Sequence, residues 1–285
     1  MTKIAVASGK GGTGKTTLSL ALAELMSSGG SVEIVDLDVE EPDVDLFVDS
    51  KKRKEEVVYA PVSVWKESSC TSCGLCSGTC ANHALVYLPG TVLIFPEMCK
   101  GCGHCVYHCP TDALTLGKKR IGTISRFSSE KFSLLEGRLD IGVEQPVPMI
   151  LATKKESQKE QKELFIFDAP PGSSCPSQEA IKDVDITILV TEPTPFGLHD
   201  LQKVYETVLS LEQKPLIVIN RDTGNSTAIE EWCIQENLEI IARIPHSVEA
   251  AKLYAQGVSV LGVPEVKKGY EQLAKEIKRR IAWNR

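Results

Sequence analysis

Three things are missing from this sequence, and each absence removes a class of function. No run of about 18 apolar residues occurs anywhere, so no transmembrane helix is expected. The opening MTKIAVASGKGG holds too short an apolar stretch before glycine and lysine to read as a secretory signal. Residence in the cytoplasm is therefore the expectation. Positive charge is not in excess either: 32 Lys and Arg face 38 Asp and Glu, a net charge of −6. That balance argues against a dedicated nucleic-acid binder. The basic run at 51–56, KKRKEE, is answered at once by acids and reads as a solvated charge run.

What is present is an ordinary globular balance, 25% charged and 42% hydrophobic, over 285 residues. That length builds one large domain or two modest ones with a sizeable core. Cysteine is not scarce. The chain has ten, eight of them between Cys70 and Cys109. Without an export signal, clustered cysteines read as metal or cluster ligands rather than disulfides, and they mark a second module.

The organising stretch is Gly9 to Thr17, GKGGTGKTT, entered from the apolar run Ile4–Ala7 and left through a helical run that begins near Lys15. Gly9, Gly14, Lys15 and Thr16 satisfy G-x-x-x-x-G-K-[ST] in its strand–loop–helix context. Glycines let backbone N–H groups turn inward around phosphate oxygens, and the helix N-terminus adds a positive dipole end. Lys15 is expected to reach the β- and γ-phosphates and the Thr16 hydroxyl to bind Mg²⁺. With Lys10 early in the loop, the motif KGGTGKTT resembles the deviant Walker A of the MinD/ParA/Mrp ATPases and the nitrogenase iron protein. The resemblance implies that Gly9, Lys10, Gly11, Gly12, Thr13, Gly14, Lys15, Thr16 and Thr17 bind ATP. It also implies that Lys10 reaches across a dimer to the partner's nucleotide.

Val32–Val35 reads as a buried parallel strand that delivers Asp36 and Asp38 at its C-terminal end, where ligands of open α/β sheets sit. VDLDVEEPD resembles switch I of the same ATPases, which implies Asp38 positioning the attacking water and Asp36 in the Mg²⁺ shell. The strand Leu164–Phe167 ends in Asp168, a Walker B arrangement that makes Asp168 a Mg²⁺ residue. DAPPG resembles switch II, which implies Gly172 as the γ-phosphate sensor. Strands are further expected at Ile186–Thr191, Leu216–Asn220 and Glu239–Ile244, and helices at Leu198–Leu211, Ala228–Glu236, Val248–Gln256 and Val266–Ala282. Alternation of this kind means a mostly parallel sheet covered by helices on both faces. By the resemblance, Asn220 and Pro245 fall at adenine-binding positions.

Between these halves lies an internal repeat. CTSCGLCSGTCANHAL from Cys70 aligns with CKGCGHCVYHCPTDAL from Cys99, both C-x₂-C-x₂-C-x₃-C followed by Ala-Leu. This is the bacterial two-cluster ferredoxin run, whose fourth cysteine ligates the other cluster. The spacing assigns Cys70, Cys73, Cys76 and Cys109 to one 4Fe-4S cluster and Cys99, Cys102, Cys105 and Cys80 to the second. Structural zinc prefers separated pairs of cysteines. Ala81 stands where the run carries proline, which Pro110 keeps in the other copy. His104 and His108 read as solvated neighbours. Ile121–Ile150 reads as short strands and turns, and Lys154–Glu163 as a polar helical connector.

The expectation is an α/β ATPase of residues 1–64 and 119–285 with an inserted ferredoxin-like α+β domain at 65–118. Three functions compete: a dimeric ATPase that gates electron transfer, an iron–sulfur carrier or scaffold like the Mrp-type relatives, and a MinD-like positioning protein. Expected partners are a second copy or a paralogue and a redox protein; nucleic acid is not expected. Membrane attachment would use the basic amphipathic end (Tyr270, Leu273, Ile277 and Ile281 among Lys275, Lys278, Arg279 and Arg280), for which docking on the sheet is the simpler expectation. Cys175, seven residues past Asp168, reads as an ordinary thiol.

Overall fold

The computed structural model describes residues 1–48 and 51–283. In chain order the elements are β1 (Thr2–Ala7), α1 (Lys15–Met26), β2 (Val32–Asp36), β3 (Lys51–Trp65), α2 (Leu75–Thr79), β4 (Leu85–Leu88), β5 (Thr91–Ile94), α3 (His104–Tyr107), β6 (Leu114–Ser128) and β7 (Ser133–Leu139). There follow α4 (Pro146–Ser157), β8 (Leu164–Asp168), α5 (Cys175–Ile181), β9 (Ile186–Thr191), α6 (Pro195–Ser210), β10 (Leu216–Asp222), α7 (Thr227–Gln235), β11 (Glu239–Pro245), α8 (Val248–Ala255) and α9 (Pro264–Trp283).

The main sheet runs β11-β10-β9-β1-β8-β2-β7-β6-β3, and β11 through β7 are parallel. The inner strands are continuous apolar runs because both faces are covered: Ile4–Ala7 and Leu164–Phe167 are buried throughout. The expected α/β class, a large, mostly parallel sheet with flanking helices, is the one observed. α9 packs Val266, Tyr270, Leu273 and Ile277 into the core at helical spacing, beside Leu18 and Leu22 of α1. The apolar stripe of the basic terminal helix is therefore covered by the protein itself. Among the described residues no helix is long and apolar enough to cross a membrane.

The stretch 121–150 differs from its expectation. It is the end of a 15-residue strand, a hairpin turned at Ser129–Phe132, and the first residues of α4. The polar connector is helical only to Ser157. Pro146 and Pro148 hide this helix start in the sequence, although proline is tolerated in a first turn, where no N–H is owed. Buried Met149 and Ile150 then anchor the helix. On the sheet, buried Arg126 of β6 is ion-paired to buried Glu33 of β2. Removing one partner would strand the other charge, at about 3–5 kcal/mol.

The chain divides into two compact units: Met1–Glu55 with Ile124–Arg138 and Ile150–Arg285, and Glu56–Thr123 with Leu139–Met149. The second unit has its own core of Val62, Ala84, Leu85, Val92, Cys99, Cys105 and Leu114. Its two halves repeat backbone conformation as well as sequence. Left-handed residues recur at Ser72 and Gly101, Gly74 and Gly103, and His83 and Asp112. The second half is the one pressed against β3: a Cβ on Gly101 would lie 2.5 Å from the carbonyl oxygen of Pro61.

Candidate functional site

The glycine loop between β1 and α1 opens onto a cavity of about 340 Å³. Gly11, Gly12, Gly14, Lys15, Thr16, Thr17, Asp38, Asn220 and Pro245 all line it. Gly14 caps α1 at φ 94°, and a Cβ there would come 2.2 Å from Asn220 Nδ2, so glycine is needed on both counts. Asn220 donates that amide to the Thr13 carbonyl at 2.7 Å, which ties the end of β10 to the loop. One of its two amide N–H groups is thus taken by the protein's own backbone. Thr13 is 2% exposed, and its hydroxyl has no partner among the described residues.

Beneath the loop sit the carboxylates. Asp36 of β2 and Asp168 of β8 are direct register neighbours and wholly buried. Asp36 accepts from the backbone N–H groups of Asp38 at 3.1 Å and Val44 at 3.3 Å, which fixes the bend after β2. Asp168 accepts from Ser19 at 3.1 Å and is also hydrogen-bonded to Thr16. Burial pushes Asp168 up to about 7 against the opposing pull of Lys15. Burial and then the charge of Asp168 raise Asp36 well above the carboxylate range. Asp38 is pushed up to about 6, again by burial, with Lys15 pulling it down. Lys15 itself is 6% exposed. Four carboxyl groups, Asp36, Asp38, Asp43 and Asp168, thus crowd around buried Lys15.

Two lining residues escaped the sequence reading. Asp43 is hydrogen-bonded to Thr16 and to Tyr254, so it joins the loop helix to α8. Burial pushes the Tyr254 phenol up to about 12, and its ring stacks on Phe47 at 4.5 Å. Asp43 does lie in VDLDVEEPD; a lone tyrosine on α8 gives no signal. Gly172 stands outside the cavity wall, at φ 93°, and donates its N–H to the Ser8 carbonyl at 2.9 Å. Gly9 packs against the backbone of Asp200. Lys10 is held by Glu192.

In the second unit the eight repeat cysteines surround two cavities. One, of about 20 Å³, is lined by Cys70, Cys73, Cys76 and Cys109 with Trp65 and Tyr87. The other, of about 320 Å³, is lined by Cys80, Cys99, Cys102 and Cys105 with Ser63. Each thus combines three cysteines of one copy with the fourth of the other. Burial raises the Cys76 thiol; at Cys109 burial is outweighed by the backbone amides of Thr111, Ala113 and Leu114, which lower it. His104 and His108 pair with each other, ring centroids 4.6 Å apart, and line up on the outer side of α3 with exposed Tyr107.

The parallel sheet, the loop at the end of β1 and the carboxylates at the ends of β2 and β8 define a P-loop nucleotide-binding protein. Residues 4–260 match the CobQ/CobB/MinD/ParA nucleotide binding domain. The chain belongs to that family of nucleotide-binding domains. It is 32% identical over 257 residues to the uncharacterized protein MJ0578 of Methanocaldococcus jannaschii, covering 90% of this chain and 88% of the relative. To MJ0579 of the same organism it is 28% identical over 278 residues, covering 95% and 96%. Its fold resembles a chain of the MinC:MinD cell division protein complex of Aquifex aeolicus (TM-score 0.59, 17% identity, 98% and 96% covered). It also resembles the septum site-determining protein MinD complexed with Mg-ADP from Pyrococcus horikoshii (TM-score 0.59, 18% identity, 97% and 95% covered).

Proposed function

We propose that this protein hydrolyses ATP as a dimer and that the cycle is linked to one-electron transfer through two 4Fe-4S clusters held by the cysteine-rich insert at residues 65–118. The ATPase half is supported by the cavity at the glycine loop, lined by Lys15, Thr16, Asp38 and Asp43, with buried Asp168 in the field of Lys15. Lys15 holds the β- and γ-phosphates, and Thr16, Asp36 and Asp168 hold the Mg²⁺ shell. Bound Mg²⁺ supplies the positive charge that lets these carboxylates and the phosphates share one site. Asp38 orients the attacking water. Gly172 senses the γ-phosphate by exchanging its bond to Ser8. Asn220 positions the loop, and Pro245 offers an apolar wall for the base. Lys10 reaches the nucleotide of the second copy or of a paralogue; MJ0578 and MJ0579 coexist in one organism, so a paired arrangement of such chains has both members available.

The observation that carries the redox half is the division of eight cysteines into two four-cysteine cavities with the fourth residue exchanged. An all-thiolate donor set fits iron–sulfur clusters, which supply low-potential one-electron carriers when bound. Among the described residues no three His, Cys, Asp or Glu side chains converge as a zinc ion held by protein side chains alone would require. A cubane spreads its thiolates over four irons and has no such need. A four-cysteine set for each cluster favours retention over transfer to a client, and so electron transfer over a carrier role. The decisive experiment is anaerobic reconstitution of the full chain with iron and sulfide. About eight irons per chain are expected, with cluster spectra. Zinc uptake with almost no iron would refute the redox half and leave the ATPase.

A further inference from the structure

β3 reaches both cysteine cavities from outside the repeat, with two residues on one face. Ser63 and Trp65 are two positions apart in a strand, so their side chains point the same way. Ser63 is 5% exposed and lines the cavity of Cys80, Cys99, Cys102 and Cys105. Its hydroxyl oxygen lies 3.0 Å from Cys105 Sγ and 3.9 Å from Cys99 Sγ. Trp65 lines the cavity of Cys70, Cys73, Cys76 and Cys109. Its indole nitrogen is buried and has no hydrogen-bond partner among the described residues. A buried donor without an acceptor costs about 1–3 kcal/mol, so such groups are rare unless something else completes them. Neither residue belongs to either copy of the cysteine run.

We propose that β3 supplies one hydrogen-bond donor to each cluster, Ser63 through its hydroxyl to the Cys105 thiolate and Trp65 through its indole N–H to a sulfur of the cluster held by Cys70, Cys73, Cys76 and Cys109, and that these two donors help set the two reduction potentials. The inference rests on the cluster reading above. One-electron reduction adds negative charge that spreads onto the sulfurs. A donor aimed at a sulfur stabilises the reduced form more than the oxidised form and raises the potential. The electron comes from the external couple; no covalent bond forms or breaks, and both protons stay on their donors. The two donors are a flexible hydroxyl and a rigid indole, so the clusters they serve need not share one potential.

The test is an EPR-monitored redox titration of the anaerobically reconstituted full chain without nucleotide, comparing wild type with Ser63→Ala, Ser63→Thr and Trp65→Phe. Ser63→Ala is expected to lower one of two midpoints by a three- to tenfold change in the reduction equilibrium, about 28–59 mV at 59 mV per tenfold. Trp65→Phe keeps the ring, loses the N–H and is expected to lower the other midpoint by a similar amount. Ser63→Thr keeps the hydroxyl and is expected to leave both in place. If Ser63→Ala loses iron, Ser63→Thr still decides: full iron with a lowered midpoint overturns the hydroxyl's role. For the indole, wild-type protein labelled with ¹⁵N-indole tryptophan is expected to show a ¹⁵N hyperfine coupling to a reduced cluster, and its absence overturns that half without any variant. Unmoved midpoints at full iron, or both variants moving the same midpoint, overturn the proposal while the cluster reading stands. Wild type that takes up no iron overturns both.

Discussion

Lys10 Nζ lies 3.1 Å from Glu192 Oε2 of its own chain, and Arg221 takes the other oxygen of Glu192 at 2.5 Å. The loop lysine that the dimer model sends across an interface is thus held at home in the single chain. The pair is partly exposed, so it is worth about 0–1 kcal/mol. Glu192→Gln is expected to strengthen ATP-dependent self-association by up to about fivefold, whereas Lys10→Ala should abolish it while nucleotide binding persists. Analytical ultracentrifugation with a non-hydrolysable ATP analogue reads both. Full-rate hydrolysis by monomeric Lys10→Ala would end the cross-dimer role.

Lys15→Ala removes the buried cation among the carboxyl groups and should lose ATP binding. Asp38→Ala should bind ATP and lower turnover by roughly 10²–10⁴, the usual share of a positioned base. Equilibrium binding and phosphate release separate the two outcomes, and normal turnover in Asp38→Ala would exclude its switch role.

The pH response has a defined sign. Asp38 at about 6 and Asp168 at about 7 hold their protons more tightly when folded than when unfolded. Their contribution to stability is therefore fully present below about pH 4 and is lost as pH rises through 6 to 7. In nucleotide-free, Mg²⁺-free protein this component should lower Tm from pH 5 to pH 8, and Asp168→Asn should flatten that slope. Binding of Mg²⁺-nucleotide at pH 6 should release protons, detectable by calorimetry in buffers of different ionisation enthalpy.

Thiol reactivity should report cluster loading. Cys175 is exposed at the start of α5, while Cys233 is 1% exposed and burial pushes its thiol up to about 11. In loaded protein, mass spectrometry after brief alkylation should find one modified residue, Cys175. Iron removal should open the exposed and half-buried repeat cysteines, Cys73 and Cys102 first, and still spare Cys233. Cys175→Ser should leave iron content and turnover unchanged.

By connectivity, the segment that carries Asp36 and Asp38 runs on into β3, and the return path precedes Asp168. If the ATP cycle and the clusters are linked, a typical coupling of about 1–3 kcal/mol would move a midpoint by roughly 40–130 mV. Titration with and without a non-hydrolysable analogue and Mg²⁺ measures it. The linkage is reciprocal, so cluster reduction must change analogue affinity by the same factor.

The sequence was most readable where one local rule decides the outcome. The glycine at the start of α1 follows from a fixed motif, the inner strands from unbroken apolar runs, and the grouping of the cysteines around two cavities from their spacing. It was least readable where a partner distant in sequence decides. Tyr254 matters only because Asp43 and Phe47 meet it, and Ser63 only because Cys105 folds onto β3. α4 was hidden because two prolines, which usually stop a helix, here begin one. The amide of Asn220 turns to the Thr13 carbonyl, a contact between residues 207 positions apart that no local pattern encodes.

The close approach of Gly101 to Pro61 makes the equivalent positions 72 and 101 of the cysteine repeat interchangeable in one direction only. Copying the second half over the first puts glycine at position 72, where the backbone is already left-handed, and relieves a non-glycine residue of that conformation. Copying the first half over the second puts serine at position 101 and drives its Cβ to 2.5 Å from a carbonyl oxygen. At this position the repeat thus has a polarity: β3 has made the second copy its fixed neighbour, so the loop can take glycine at 72 but not serine at 101.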